Sequence, residues 1–139
     1  MKRTDLAYIA GLFDGEGCIR IGRSRHPKRS DYTFLCSLSI SNQYIPELLR
    51  MFFGGHIRIR NFGAPRRTQW DWSVSSNNAI TFLKLVYPYL ILKKGQADVA
   101  FRYQEAINRR RKLGQHRLTE GEKAIQEAEY LILRNLKKV

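Results

Sequence analysis

A chain of 139 residues is long enough for one domain with a real core, and its 25 Lys and Arg against 12 Asp and Glu give a formal charge of +13. Such an excess points to a polyanionic partner, nucleic acid by default, a bias that ribosomal and membrane-surface proteins share. No apolar run approaches the ~20 residues that span a bilayer, and no signal-peptide pattern opens the chain. Cys18 and Cys36, with the scattered His26, His56 and His116, form neither a disulfide framework nor a zinc signature, so a reduced, intracellular setting without membrane or zinc is expected.

The first predicted element is a helix with Thr4 as N-cap and Asp5 in its first turn, where a carboxylate complements the helix dipole. From Leu6 to Phe13 nearly every residue is apolar, which predicts a short helix buried on most sides. Ala7 and Gly11 lie four apart on one face with Ala10 beside them, and small residues at that spacing let a second helix backbone approach closely. The helix is expected to stop where Gly15 and Gly17 flank Glu16. A carboxylate is thereby left at the negative end of a helix dipole. Two readings fit: a solvated helix-to-strand turn, or a ligand for a hard divalent cation, which takes carboxylate and carbonyl oxygens.

Residues 18–24 then alternate, Ile19 and Ile21 on one face and Cys18, Arg20, Gly22 and Ser24 on the other, the mark of a half-buried strand. A basic turn with Arg25 and Pro27 leads into residues 32–41, where Phe34, Cys36, Leu38 and Ile40 alternate with Thr33, Leu35, Ser37, Ser39 and Ser41. Asn42 or Gln43 opens a short helix through Leu48, Leu49, Phe52 and Phe53, with Pro46 tolerated in its first turn and Gly54-Gly55 ending it. A second hairpin follows, residues 56–60 and 69–75, joined by a turn around Gly63-Ala64-Pro65 that also holds Arg67. In it Ile57, Ile59, Trp70, Trp72 and Val74 are expected to face inward, and Arg58, Arg60, Gln69, Asp71 and Ser73 outward.

Ser76-Asn77-Asn78 is expected to cap a helix bearing Ile80, Phe82, Leu83 and Val86, which ends near Tyr87 before Pro88. A helix after Gln96 carries Val99, Ala100, Tyr103, Ala106 and Ile107. It closes on Arg109-Arg110-Arg111-Lys112, which reads either as favourable charge at a helix C-terminus or as a phosphate contact. Thr119-Glu120-Gly121-Glu122 reads as a capping box for a last helix bearing Ile125, Ala128, Ile132 and Leu136. The fold class expected is α+β: one four-stranded antiparallel sheet with helices on one face.

The stretch Ile9-Ala10-Gly11-Leu12-Phe13-Asp14-Gly15-Glu16-Gly17 resembles the LAGLIDADG motif of homing endonucleases, and P-Y-L-I-L-K-K-G-Q at residues 88–96 resembles a second block of that family. The resemblance covers about residues 4–108 of a single domain 1–139, leaving about 109–139 as a C-terminal helical extension. It implies an α-β-β-α-β-β-α core with a DNA-binding saddle, and motif helices packed about a two-fold axis through Ala7, Ala10 and Gly11. It also implies a catalytic divalent metal, Mg2+, bound by Glu16 and the carbonyl of Gly15; the family more often has Asp at the place of Glu16. Lys93 aligns with a lysine that resembles a transition-state stabiliser or solvent organiser. Asn42 aligns with a water-positioning polar residue, with Gln43 a close alternative and a helix cap its other reading.

The activity implied is homodimeric, site-specific double-strand cleavage of a long, near-palindromic DNA target, leaving short 3′ overhangs. Such an enzyme is encoded by an intron or intein and acts in the cytoplasm, nucleoid or organelle of its host. A non-cleaving binder on the same fold, an intron RNA maturase or a DNA-binding regulator, is the alternative class. The residues add their own argument. The outer face of the sheet would hold Arg20, Ser24, Ser37, Ser39, Arg58, Arg60, Gln69, Asp71 and Ser73, with Arg25 and Arg67 in the turns. A β-ribbon fits the major groove, and an eight-residue strand rises ~26 Å, about eight base steps. Two protomers would cover roughly 20 base pairs, and an isologous contact would bring both Glu16 carboxylates to the axis.

Overall fold

Four stretches of alternating side chains join into one sheet because each offers an apolar row that only a shared helical layer can cover. The structure, a computed structural model, describes residues 1–23, 32–114 and 118–138. In chain order the elements are α1 (Arg3–Glu16), β1 (Gly17–Arg23), β2 (Tyr32–Ile40), α2 (Tyr44–Phe53), β3 (His56–Arg60), β4 (Gln69–Ser75) and α3 (Ser76–Val86). A 3-10 turn (Tyr87–Tyr89), α4 (Lys94–Lys112) and α5 (Glu120–Leu136) complete the chain. The strands run β1-β2-β4-β3 and every pair is antiparallel.

The register Ile19↔Cys36, Cys36↔Val74 and Ile57↔Trp72 lines the apolar residues up in rows across the strands. Helices cover that face. Phe13 of α1 meets Phe82 of α3 edge-on at 5.1 Å, and Phe82 in turn meets Trp72 of β4 at 5.1 Å and Phe53 of α2 at 5.0 Å. Trp72 is fully buried, and its indole N–H donates to the Gly54 carbonyl at 2.9 Å, so its one polar atom is satisfied. Each such ring contributes on the order of 2–3 kcal/mol of burial.

Gly17 joins α1 to β1 with the Phe13 ring packed against it, and a Cβ there would overlap that ring. Gly17→Ala is therefore expected to destabilise the chain by ~1–3 kcal/mol through forced movement of a core aromatic. Gly11→Ala, with nothing near the added carbon, should cost no stability. Equilibrium denaturation of the two variants checks the contrast.

Several expectations are corrected. The N-cap of α1 is Lys2, not Thr4, and the Asp5 carboxylate accepts the Lys2 N–H at 2.8 Å. The helix runs on through Gly15 to Glu16 and is buried on one side only, through Ile9, Ala10 and Phe13. Thr4, Ala7, Tyr8, Gly11 and Gly15 are exposed, so Ala10 belongs to the core and not to the open face. Ile59 lies on the apolar side of the sheet but is 63% exposed, because β3 is the edge strand.

The α3 N-cap is Ser75, without a side-chain bond; Ser76 has φ 53, and the Asn77 side-chain Oδ1 accepts instead from the Asn108 side-chain amide at 2.9 Å. In α4 Ala106 is exposed and Gln104 is buried, its amide donating to Asn108 at 3.1 Å. Of the expected capping box of α5 the Thr119 half forms, its hydroxyl accepting the Glu122 N–H at 3.2 Å, while the Glu122 carboxylate accepts from Arg110 at 3.3 Å. The stripe Ile125, Ala128, Ile132 and Leu136 is exposed, because α5 docks on α4 and the β1 edge through Gln126 and Leu133. Among the described residues no helix is long and apolar enough to cross a membrane.

Candidate functional site

The tip of α1 is held by an acid that the sequence reading passed over. The Asp14 carboxylate accepts the backbone N–H groups of Ile91 at 2.7 Å, Leu92 at 3.2 Å and Lys93 at 3.0 Å. It thereby satisfies the donors that precede the first turn of α4. The Lys93 ammonium returns to the same residue, donating to the Asp14 carbonyl at 2.6 Å. No basic residue lies in the last turn of α1, so Lys93 supplies from another element the positive charge that a helix C-terminus favours.

Glu16, two residues further on, is exposed, and no partner holds its carboxylate among the described residues. Gly15 is exposed too, and its carbonyl is among the last four of the helix, which have no intrahelical partner. One chain thus presents a free carboxylate and a free carbonyl, both hard oxygen donors, with a lysine beside them. No cluster of three or more His, Cys, Asp and Glu side chains forms among the described residues. The pair suits Mg2+, which takes one or two carboxylates and keeps several waters. Asn42 is exposed at the end of β2, and its Oδ1 accepts the Tyr44 N–H at 2.8 Å, a local bond at the start of α2.

Beside this tip the surface is apolar. The open side of α1, Ala7, Tyr8, Gly11 and Gly15, adjoins the segment gripped by Asp14, where Ile91 is 82% and Leu92 73% exposed.

On the other side of the sheet, the register Ser37↔Ser73, Ser39↔Asp71, Arg58↔Asp71 and Arg60↔Gln69 gathers the expected polar residues on one face, with Arg20 on the edge strand β1. The guanidinium of Arg60 forks onto Asp71, Nη2 to Oδ1 at 2.9 Å and Nε to Oδ2. Its flat side lies 5.3 Å from the centre of the Phe62 ring, and Arg66 stands 5.9 Å from that ring. Arg58 reaches Asp71 through one nitrogen at 3.3 Å and leaves its side chain 75% exposed.

Burial pushes the Asp71 carboxyl up, but hydrogen bonds from Arg60, Ser39 and Arg58 and the Arg60 charge outweigh it, so its pKa stands below the ordinary carboxylate value. The two arginines are therefore unequal, one clamped by a two-point fork and the other held by a single long contact and mostly exposed, a difference that alternation cannot reveal. Arg67 is exposed in the β3–β4 connection, and Ser24 and Arg25 lie outside the described residues.

The model of the LAGLIDADG endonuclease family matches residues 9–109, close to the span of the sequence resemblance. Among solved structures, the homing endonuclease I-CvuI, crystallised with its target in the presence of calcium, superposes with a TM-score of 0.73 at 19% identity, covering 98% of this chain and 92% of its own. The archaeal intron-encoded homing endonuclease I-Vdi141I, complexed with DNA, gives 0.76 at 16% identity over 96% and 84%. The LAGLIDADG homing endonuclease I-GzeII, in complex with a DNA target, gives 0.67 at 18% over 93% of this chain but 43% of its own. At these identities the likeness establishes the fold. No curated protein sequence matches the chain.

Proposed function

The chain belongs to the LAGLIDADG endonuclease family, and on that premise we propose that it is a site-specific double-strand DNA endonuclease, active as a homodimer with a divalent metal, Mg2+. The observation that carries the reading is the tip of α1: a free Glu16 carboxylate beside a seated Lys93, next to an open small-residue helix face. Glu16 and the Gly15 carbonyl would hold the metal, which when bound activates water and stabilises the leaving oxygen. Lys93 places a positive charge beside a scissile phosphate, held there by its bond to the Asp14 carbonyl. Asn42, at the end of β2, is assigned to positioning water.

One Glu16 per chain serves one strand, so two strands require two chains. An isologous contact through Ala7, Gly11 and Gly15 brings the two tips to one axis and covers Tyr8, Ile91 and Leu92. The length of I-GzeII supports a paired arrangement, because this chain spans under half of it and leaves room for a second such unit.

The test is cleavage of a randomised duplex library with Mg2+, with products sequenced for a near-palindromic site and short 3′ overhangs, alongside DNA from the intron insertion site. Tight, sequence-selective binding without cleavage would move the assignment to a maturase or regulator. On this reading the sheet's outer face enters the major groove, and the loosely held, exposed Arg58 is the base reader while Arg60 is a positioning residue. Arg58→Ala is expected to lose ~1–3 kcal/mol of discrimination at one base pair in each half-site. Arg60→Ala should weaken binding nearly evenly across sequences. Site-preference profiles of the two variants decide, and an unchanged profile for Arg58→Ala would show the reader to be elsewhere.

A further inference from the structure

Three cations from two elements meet at the β1 edge of the sheet. Arg20 of the outer face, Arg134 near the end of α5 and Lys137 just past it line a cleft of about 380 Å3, with Tyr130 and Leu133 as its apolar wall. No carboxylate lines the cleft, and none of the three is ion-paired among the described residues. Lys137 instead places its ammonium 3.3 Å from the Cys18 sulfur. Arg134 and Lys137 alone would be explained by their place at a helix C-terminus. Arg20 has no such reason to be there, and three like charges brought together from two elements repel unless an anion joins them.

The location says which anion. Cys18 and Arg20 share the outer face of β1, and Cys18 lies two residues beyond Glu16. The end of α5 therefore comes level with the face assigned to DNA, beside the assigned cleavage site. From Glu16 to Arg20 is at most ~13 Å of extended chain, about four phosphates of one DNA strand at ~3.4 Å of rise each. We propose that the β1–α5 cleft is a phosphate-binding site that grips the backbone of the bound duplex within about four base steps of Glu16. This assignment rests on the DNA reading above. It gives α5 the task of holding the strand in register for cleavage.

The experiment compares wild type with Arg134→Gln/Lys137→Gln in anisotropy titrations of the selected duplex from about 50 to about 300 mM salt. The double variant should lose about 0.9 in the slope of log affinity against log salt for each phosphate contact removed, about 1.8 for two. Its base preferences should keep their shape. Arg134→Lys/Lys137→Arg should keep the wild-type slope, and single Lys137→Gln, at an exposed position past the end of α5, carries the test should the double variant not fold. Saturating DNA should also slow the reaction of Cys18 with a thiol reagent, with buried Cys36 silent in both states.

An unchanged slope in the folded glutamine variant, or Cys18 reacting at one rate with and without DNA, overturns the proposal. So does loss of affinity for an RNA hairpin with the duplex slope intact, which would give the cleft to RNA. A wild type with no salt-dependent duplex affinity would instead overturn the DNA reading, and the cleft's assignment with it.

Discussion

Glu16→Gln is expected to lower cleavage of the selected duplex by ~10^3-fold or more while leaving duplex affinity within a few-fold. The amide keeps the size and polarity of the carboxylate but removes the charge that a hard cation takes. Because Glu16 is exposed and has no partner among the described residues, the change should leave stability within about 0.5 kcal/mol. Lost activity cannot then be blamed on the fold. Asp14 cannot stand in, since its oxygens are occupied by three backbone N–H groups and its carbonyl by Lys93. Single-turnover cleavage with Mg2+, beside binding measured without it, reads the two quantities separately. Full activity in the variant would remove the metal-ligand assignment; equal loss of binding and cleavage would make Glu16 a contact residue instead.

Much of the fold was legible because the strands carry strict alternation. His56–Arg60 and Gln69–Ser75 have the bounds that the period-2 pattern gives; β1 starts one residue earlier than expected, with Ser24 outside the described residues, and β2 ends one residue earlier. Alternation also put Arg58, Arg60, Gln69, Asp71 and Ser73 on one face, where they are. What it could not give is how those residues divide the work. The fork of Arg60 onto Asp71 and its stacking on Phe62 depend on side-chain directions across two strands and a turn.

The helices show a second limit. Periodicity says that a helix has an apolar side but not which neighbour covers it. Ile125, Ile132 and Leu136 lie exposed, and the docking face of α5 carries Gln126 and Leu133. Asp14 was invisible for a further reason: its partners stand 77 to 79 residues away in the chain. No local pattern signals that an acid at the end of one helix caps the approach to another.

Gly11→Leu is expected to separate assembly from folding. In the single chain Gly11 is exposed and a Cβ there meets nothing within 4 Å, so a larger side chain can point into solvent. Relief of glycine's helix penalty should even stabilise the protomer by ~0.5–1 kcal/mol. In the proposed dimer the same position faces its symmetry mate, and each of two isobutyl groups must enter a contact shaped for none. Overpacking of ~1–3 kcal/mol at each, doubled by the two-fold, amounts to ~2–6 kcal/mol. That weakens association by roughly 30-fold to 10^4-fold. The variant should melt at or slightly above the wild-type temperature, sediment as a monomer where wild type is a dimer, and lose coordinated cutting of both strands. A variant as dimeric as wild type would move the interface off this face of α1. A wild type that scatters light as a monomer both free and on DNA would sink the paired site itself, because one chain presents a single Glu16 and each strand needs its own.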